Sequence, residues 1–312
     1  MSRILGVGLN PSVDISCTAD KDEPVHKVRT RGAKYDPGGG AINVARVIGV
    51  LGGEPVLAYL SGGQTGLMFE TLLSNYKIIQ HRFEMQGSVR VAYMVREEST
   101  GLEYRFVPEG PEIRPGELEP LLDFVAHFAG DYFVASGSLP RGVPSDTYAR
   151  LADITHKKGA RFVLDTSGDA LQEAFAHGGI YLAKPSRHEL ELFIGHELDE
   201  TGLRDAAGAL IAKGVVQNLV VSLGAEGAFL ANADGVLQLP SIAVQARSAV
   251  GAGDSFVAAM TWQLSEGRPI AEAFQFGVAA GAAAVMTPGT DLCHRNDVHM
   301  LVEKLGRPIQ PA

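Results

Sequence analysis

Short apolar runs of strand length recur along this chain with helical segments between them, and that alternation limits the fold more than any other feature. The runs are ILGVGL (4–9), PVLAYL (55–60), YFVAS (132–136), RFVLD (161–165), IYLAK (180–184) and NLVVSLG (218–224). Between them lie helix patterns such as INVARVIGVLGG (42–53), ELEPLLDFVAHFAG (117–130) and TYARLADITHKKG (147–159), several of which close on Gly, a common helix stop. A strand that is apolar at successive residues is covered on both faces, so the pattern predicts a mostly parallel sheet between helical layers. Ligands of such sheets sit beyond the carboxyl ends of the strands. Two stretches, 14–36 and 88–107, differ. Segments such as SVRVAYMVREE and LEYRFV alternate with period two, which means one packed face and one wet face. They are predicted to pair into a small second sheet projecting from a main body made of 1–13, 37–87 and 108–312. Apolar helices at 251–267, 269–286 and 296–306 close the chain.

A chain of 312 residues, 46% of them apolar, can bury a sizeable core as one large domain or two. The net charge of −9, with no Lys/Arg block longer than two, argues against a general nucleic-acid binder. An anionic substrate would need a local cationic pocket. Cys17 and Cys293 are the only cysteines and lie far apart, against both a disulfide framework and a cysteine zinc site. The opening MSRILGVGLNPSVD reads as a strand and lacks the apolar core of a signal peptide. AFQFGVAAGAAAVM is too short and too rich in Ala and Gly to span a bilayer. The expectation is a soluble cytoplasmic protein without membrane or nucleic-acid partners.

The segment RSAVGAGDSFVA (247–258) sets a turn nearly free of side chains just before Asp254 at a helix start. Gly-Ala-Gly leaves backbone N–H groups uncovered, and the helix adds its first free N–H groups and its positive dipole end. The product is an anion cradle. A carboxylate inside such a cradle is not there to bind the anion; it is placed to take a proton from a nucleophile beside it. The alternative is that Asp254 only caps the helix, and spacing alone does not separate the two. DPGGGAINVARVIG (36–49) puts three glycines ahead of a helix bearing Asn43, which offers both a donor and an acceptor; it reads equally as a tight strand-to-helix turn. The usual glycine motifs for dinucleotides and for the P-loop are absent.

Four more loops follow strands: LNPSVD (9–14) with Asp14, SGSLPRG (136–142), AKPSRHEL (183–190) with Lys184 and Glu189, and VSLGAEGA (221–228). Each alone is a loop; together, at one edge of one sheet, they favour a site. Arg90 and Arg105 in the alternating stretches either solvate a strand or meet a phosphate, whose geometry the guanidinium fork matches. The nine histidines form no metal motif, since HELEL (188–192) ends in Leu192. No serine-hydrolase signature occurs.

PGGGAINVAR and VGAGDSF, with GSLPRG, KPSRHEL and SLGAEGA between them in family order, make the chain resemble the ribokinase-like sugar kinases over nearly its whole length, in particular the phosphofructokinase B family. Gly38, Gly39 and Gly40, with EYRFV (103–107) and GTDLC (289–293), are most similar to its minor 6-phosphofructokinase branch. The resemblance implies a three-layer α/β/α sandwich with a small β lid, and a homodimer in which two lids clasp. It implies transfer of the γ-phosphoryl group of MgATP to the 1-hydroxyl of fructose 6-phosphate. Fructose 1-phosphate and tagatose 6-phosphate are the alternative acceptors, and a non-catalytic sugar-phosphate or nucleotide sensor is the alternative of another class.

By matched position, the resemblance makes Asp254 the general base and Gly251, Ala252 and Gly253 the anion hole. Asp14, Gly39, Gly40 and Asn43 would hold sugar hydroxyls, with Ser138 beside them. Arg90, Arg105 and Lys27 would hold the 6-phosphate. Lys184, Ser186, Ser222, Gly224 and Gly227 would contact ATP, and Glu189 and Asp165 would organise magnesium through waters. Carbonyls around Ser248, Val250, Ala284 and Gly289 would hold a monovalent cation such as potassium. The chain departs from the family pattern at Ser186, usually Asn, at Thr287 and Asp291, in place of Asn and Arg, and at Ala41, in place of a fourth Gly. Asp291 adds a negative charge that either strengthens cation binding or faces solvent.

Overall fold

The computed structural model describes residues 3–21 and 25–306. The chain begins with β1 (Ile4–Gly8), β2 (Ser12–Ala19), β3 (Thr30–Gly38), α1 (Gly40–Leu51), β4 (Val56–Ser61), α2 (Gly63–Leu73) and β5 (Ile79–Glu84). It continues through β6 (Arg90–Glu97), β7 (Glu103–Phe106), α3 (Glu119–His127), β8 (Tyr132–Ser136), α4 (Thr147–Lys157), β9 (Arg161–Asp165) and α5 (Gly168–His177). The last part is β10 (Ile180–Ala183), α6 (Arg187–Ile194), α7 (Glu200–Ala212), β11 (Val216–Ser222), β12 (Ala228–Asn232), β13 (Gly235–Leu239), α8 (Ala252–Ser265), α9 (Ile270–Val285) and α10 (Arg295–Leu305).

A nine-stranded sheet runs in the order β13-β12-β11-β10-β9-β8-β1-β4-β5. Its pairs are parallel from β11 to β5, and β12 and β13 add antiparallel at one edge. The apolar runs are continuous because both faces are covered. In β8, Tyr132 and Val134 enter the core beneath α1, α8, α9 and α10, while Phe133 and Ala135 enter the core beneath the other helices. That division by alternate residues is the pleat itself. The result is three layers, helix on sheet on helix, with every parallel strand ending at one edge.

The alternating stretches form the second sheet, in the order β3-β2-β6-β7. It reaches slightly further than the 14–36 and 88–107 boundaries, because β2 starts at Ser12 and β3 runs to Gly38. Val13, Cys17 and Met94 are buried in it. Tyr35, Ile15, Tyr93 and Phe106 lie in one cross-strand row, and its three aromatic members are 44%, 47% and 58% exposed. Both cysteines are buried and free. No helix of the described residues is long and apolar enough to cross a membrane.

Candidate active site

The first turn of α8 sits at the carboxyl edge of the large sheet. Gly251 is its N-cap with φ 70 and ψ 4, the left-handed region, and its carbonyl accepts from the Ser255 amide at 2.8 Å. The amides of the opening turn have no helical partner. Asp254 is the third helical residue, yet its carboxylate does not cap the helix. Oδ2 accepts from Nδ2 of Asn43 on α1 at 2.9 Å, and Oδ1 accepts from Oγ of Ser136 at the end of β8 at 3.1 Å. The capping alternative therefore lacks its hydrogen bond. Burial and, next, the Asp165 charge push the Asp254 carboxyl up to about 6; Asn43, Ser136 and Lys184 oppose them.

Two cavities flank this helix start. One, of about 550 Å³, is lined by Lys184, Ser222, Gly224, Gly227, Gly253 and Phe256. The other, of about 260 Å³, lies against the small sheet and is lined by Asp14, Tyr93, Arg105, Val250, Gly251 and Thr290. Ala249 lines both, so the turn of residues 249–253 is the wall between them. Of the residues matched to ATP contacts, Ser186 is the one absent from the larger cavity's wall. The apolar side of that cavity, including Val244 and Val278, carried no motif and was missed.

Lys184 follows β10 and Asp165 ends β9, with Nζ and Oδ1 3.2 Å apart. Burial lowers the tendency of Lys184 to hold its proton, but Asp165, Glu189 and Asp254 outweigh it, so its pKa is raised. Burial raises Asp165, against the Lys184 charge. Ser186 is the N-cap of α6 in a capping box with Glu189: its Oγ accepts from the Glu189 amide, and Glu189 Oε2 accepts from Ser186 N at 2.7 Å and Oγ at 2.9 Å. The Glu189 carboxylate thus points back onto the start of its own helix.

The glycine turn is set by close approach. A side chain at Gly38 would overlap the Asp14 carboxylate, and one at Gly40 would overlap Ser136 Oγ and the Gly137 amide. Gly39, the N-cap of α1 with φ 108, follows Gly38 at the end of β3. Asp14 accepts from Ser12 Oγ at 2.5 Å, and burial raises its carboxyl against that bond and Arg90. Arg90 donates to the carbonyls of Pro108 at 2.8 Å and Asn10 at 3.2 Å, and its buried Nε has no partner. Arg105 is exposed beside the smaller cavity and pairs with Glu103 at 3.1 Å. Ser138 accepts from Asn10 Nδ2 at 3.2 Å. Lys27 is exposed in the loop before β3, and among the described residues no hydrogen bond or ion pair is shown between it and the other candidates.

At the carbonyl set, Ser248 is buried and donates to Glu103 Oε2 at 3.3 Å, and the Val250 amide donates to Ser248 Oγ. Gly289 packs against Ser16. The Ala284 carbonyl accepts from both the amide and the hydroxyl of Thr287, at 3.1 and 2.7 Å. The Asp291 carboxylate pairs with Lys34 of β3, so it does not face solvent alone. Arg46, Asp36, Ser136 and Asn10 also belong to this region. Sequence reasoning passed over them, although an arginine within the apolar run INVARVIG was a usable signal.

The strand ends of a parallel sheet meet a helix N-terminus that stands between two cavities; Asp254 lies in its first turn but in neither cavity's lining, and the arrangement is compatible with an enzyme that brings two reactants together. The comparisons agree with that class. Residues 2–297 match the family described as pfkB family carbohydrate kinase. The chain is 40% identical over 311 residues to the ATP-dependent 6-phosphofructokinase isozyme 2 of Mycobacterium tuberculosis, covering 99% of this chain and 91% of that protein. It is 37% identical over 309 residues to the isozyme 2 of Escherichia coli, covering 98% and 100%. The crystal structure of Escherichia coli phosphofructokinase-2 with fructose-6-phosphate superposes with a TM-score of 0.92 at 35% identity, over 98% of this chain and 100% of that one. The chain belongs to the pfkB family of carbohydrate kinases, and it is a sugar-phosphate kinase.

Proposed function

We propose that this chain is an ATP-dependent 6-phosphofructokinase, with the nucleotide in the larger cavity and fructose 6-phosphate in the smaller one. The observation that carries the reading is the α8 start, which is the wall between the two cavities and bears Asp254. The 1-hydroxyl of the sugar reaches Asp254, which takes its proton as the oxygen attacks the γ-phosphorus and ADP leaves. The N–H groups of Gly251, Ala252 and Gly253 face the equatorial oxygens, so charge stabilisation is built in before the substrates arrive. Asp14, Gly39, Gly40 and Asn43, with Ser138, hold the sugar hydroxyls. Lys184, Ser222, Gly224 and Gly227 hold ATP, with Ser186 at the margin.

No group of three or more acid, His or Cys side chains among the described residues is placed to hold a metal ion. The residues fit magnesium that is bound largely through the nucleotide's phosphates, with Asp165 placed to meet its waters; Glu189 would have to leave its capping box with Ser186 to join it. Bound there, the ion would neutralise phosphate charge. Of the four carbonyls matched to a monovalent cation, that of Ala284 accepts from Thr287. We route no step through potassium.

The deciding experiment is ADP release with MgATP and fructose 6-phosphate, fructose 1-phosphate, tagatose 6-phosphate or ribose. A tenfold or greater preference in kcat/KM for fructose 6-phosphate supports the proposal. Preference for another phosphosugar reassigns the substrate, and no turnover with any of them points to a sensor. Arg105→Ala is expected to raise the KM for the phosphosugar about tenfold or more, on the scale of a lost charge-assisted contact, with the ATP KM unchanged. Movement of the ATP constant alone would remove Arg105 from the 6-phosphate.

The row of Tyr35, Tyr93 and Phe106 supports a homodimer in which the small sheet is a lid and two lids cover each other. Tyr93→Glu is expected to shift the wild-type dimer to monomer in sedimentation velocity. An unshifted dimer would place the contact elsewhere.

A further inference from the structure

Asn43 is held at both ends of its amide. Nδ2 donates to Asp254, and Oδ1 accepts from Nη1 of Arg46, one turn along α1, at 3.1 Å. Arg46 is 3% exposed. Its Nη1 also donates to the Pro37 carbonyl at 2.8 Å, and its Nη2 meets Asp36 Oδ1 at 3.3 Å and the Tyr76 hydroxyl at 2.8 Å. The guanidinium lies 4.6 Å from the centre of the Tyr76 ring. Asp36, 3% exposed, also accepts from Thr290 at 2.7 Å and faces Lys34 Nζ at 3.4 Å.

The two ends of an Asn amide are nearly equal in shape and opposite in polarity. A guanidinium only donates, so the end facing Arg46 must be the oxygen. The end facing Asp254 is then an NH₂ group. A buried ion pair such as Arg46–Asp36 is weak evidence for stability, so its place one turn from the site calls for another role.

We propose that Arg46 is a positioning residue for phosphoryl transfer: locked by Asp36 and Tyr76, it fixes the Asn43 amide so that Asp254 always meets a donor. The proposal rests on the reading of Asp254 as the base. If Arg46 is removed, Asn43 is free to turn its oxygen toward Asp254, which favours the protonated acid and leaves fewer molecules ready to accept a proton. The other groups facing Asp254 are Ser136, Asp165 and Lys184 from the ends of β8, β9 and β10. Those facing Arg46 are Asp36 of β3, Tyr76 after α2 and, through charge, Asp14 of β2. Of all these, Arg46 is the group bonded to the Asn43 oxygen. Because Asp36 lies in the small sheet, that sheet and the base share one chain of contacts.

The test compares wild type, Arg46→Met, Arg46→Met with Asp36→Asn, Asn43→Ala, and the last two sets combined. The paired change to neutral residues avoids leaving Asp36 charged and alone. The readouts are the pH profile of kcat/KM and the titration of the Asp254 carboxyl carbon by ¹³C NMR. In the Arg46 variants the acid limb is expected to move up by about one pH unit. Activity then falls about threefold at pH 6.5 and close to tenfold at pH 5, with little loss at pH 9 and an unchanged ATP KM. Asn43→Ala should move the limb similarly, and adding the Arg46 change should move it no further. An unmoved limb in a folded Arg46 variant, or full additivity with Asn43→Ala, would overturn the proposal. Should every Arg46 variant fail to fold, an unmoved limb in Asn43→Ala overturns it and a moved one supports it. A wild type inert toward every sugar would sink the kinase reading alone, because the NMR titration still tests the role of Arg46.

Discussion

Asp254→Asn is expected to lower turnover by roughly 10²–10⁴-fold, the scale of a lost general base, while raising stability. The two effects have one origin. The carboxyl is pushed from 3.8 up to about 6 by burial and by Asp165. A raised acid holds its proton more tightly in the folded chain than in the unfolded one. Stability from this group is therefore full below pH 4 and lost as pH rises through about 6, where the fold must carry a disfavoured charge. Above that pH the penalty approaches about 3 kcal/mol by linkage, less to the extent that the partly exposed group keeps contact with solvent. Asparagine keeps the shape and removes the charge, so the melting temperature at pH 8 should rise and its difference from wild type should vanish near pH 4. In wild type, kcat/KM should climb with pH through an acid limb near 6. A residue that merely ended a helix would behave oppositely, with activity retained and stability reduced. Turnover within a few-fold of wild type would remove Asp254 from the chemistry.

Lys184→Met is expected to be the costlier change for the fold. It leaves Asp165 in a buried position without the ammonium 3.2 Å away, and breaking such a pair typically costs about 3–5 kcal/mol. Burial already raises the Asp165 carboxyl, and loss of Lys184 raises it further. Its proton is then taken up by the folded state as pH falls, so the deficit should be largest near pH 8 and shrink toward pH 5. The ATP KM should rise together with it, because the same ammonium lines the larger cavity. A variant with an unchanged melting temperature and a raised ATP KM would show that Asp165 finds another partner.

The layers were legible because burial on both faces leaves an unbroken apolar run, as in YFVAS. The edge strand β5, IQHRFE, was not, since one side is wet and its alternation is short. The hairpin of β12 and β13 was missed for a related reason: two five-residue strands give too little pattern. At the site, the loops at strand ends were legible from their glycines and hydroxyls. The partners of Asp254 were not, because nothing in the order of residues says that position 43 will meet position 254. Ser186 was noticed as a departure, but only the fold shows the Glu189 carboxylate bent onto it. Asp291 looked like added charge until Lys34 of β3 was seen to answer it.

The groups around the α8 start come from positions 14, 43, 136, 184 and 254 of the chain. No shorter stretch contains them, and the helix that closes the gap between the two cavities comes near the end. A chain emerging from the ribosome therefore builds most of its sheet before it owns a working centre. Partly made copies cannot hydrolyse ATP at an unfinished site, and in refolding the return of activity should trail the return of helical signal.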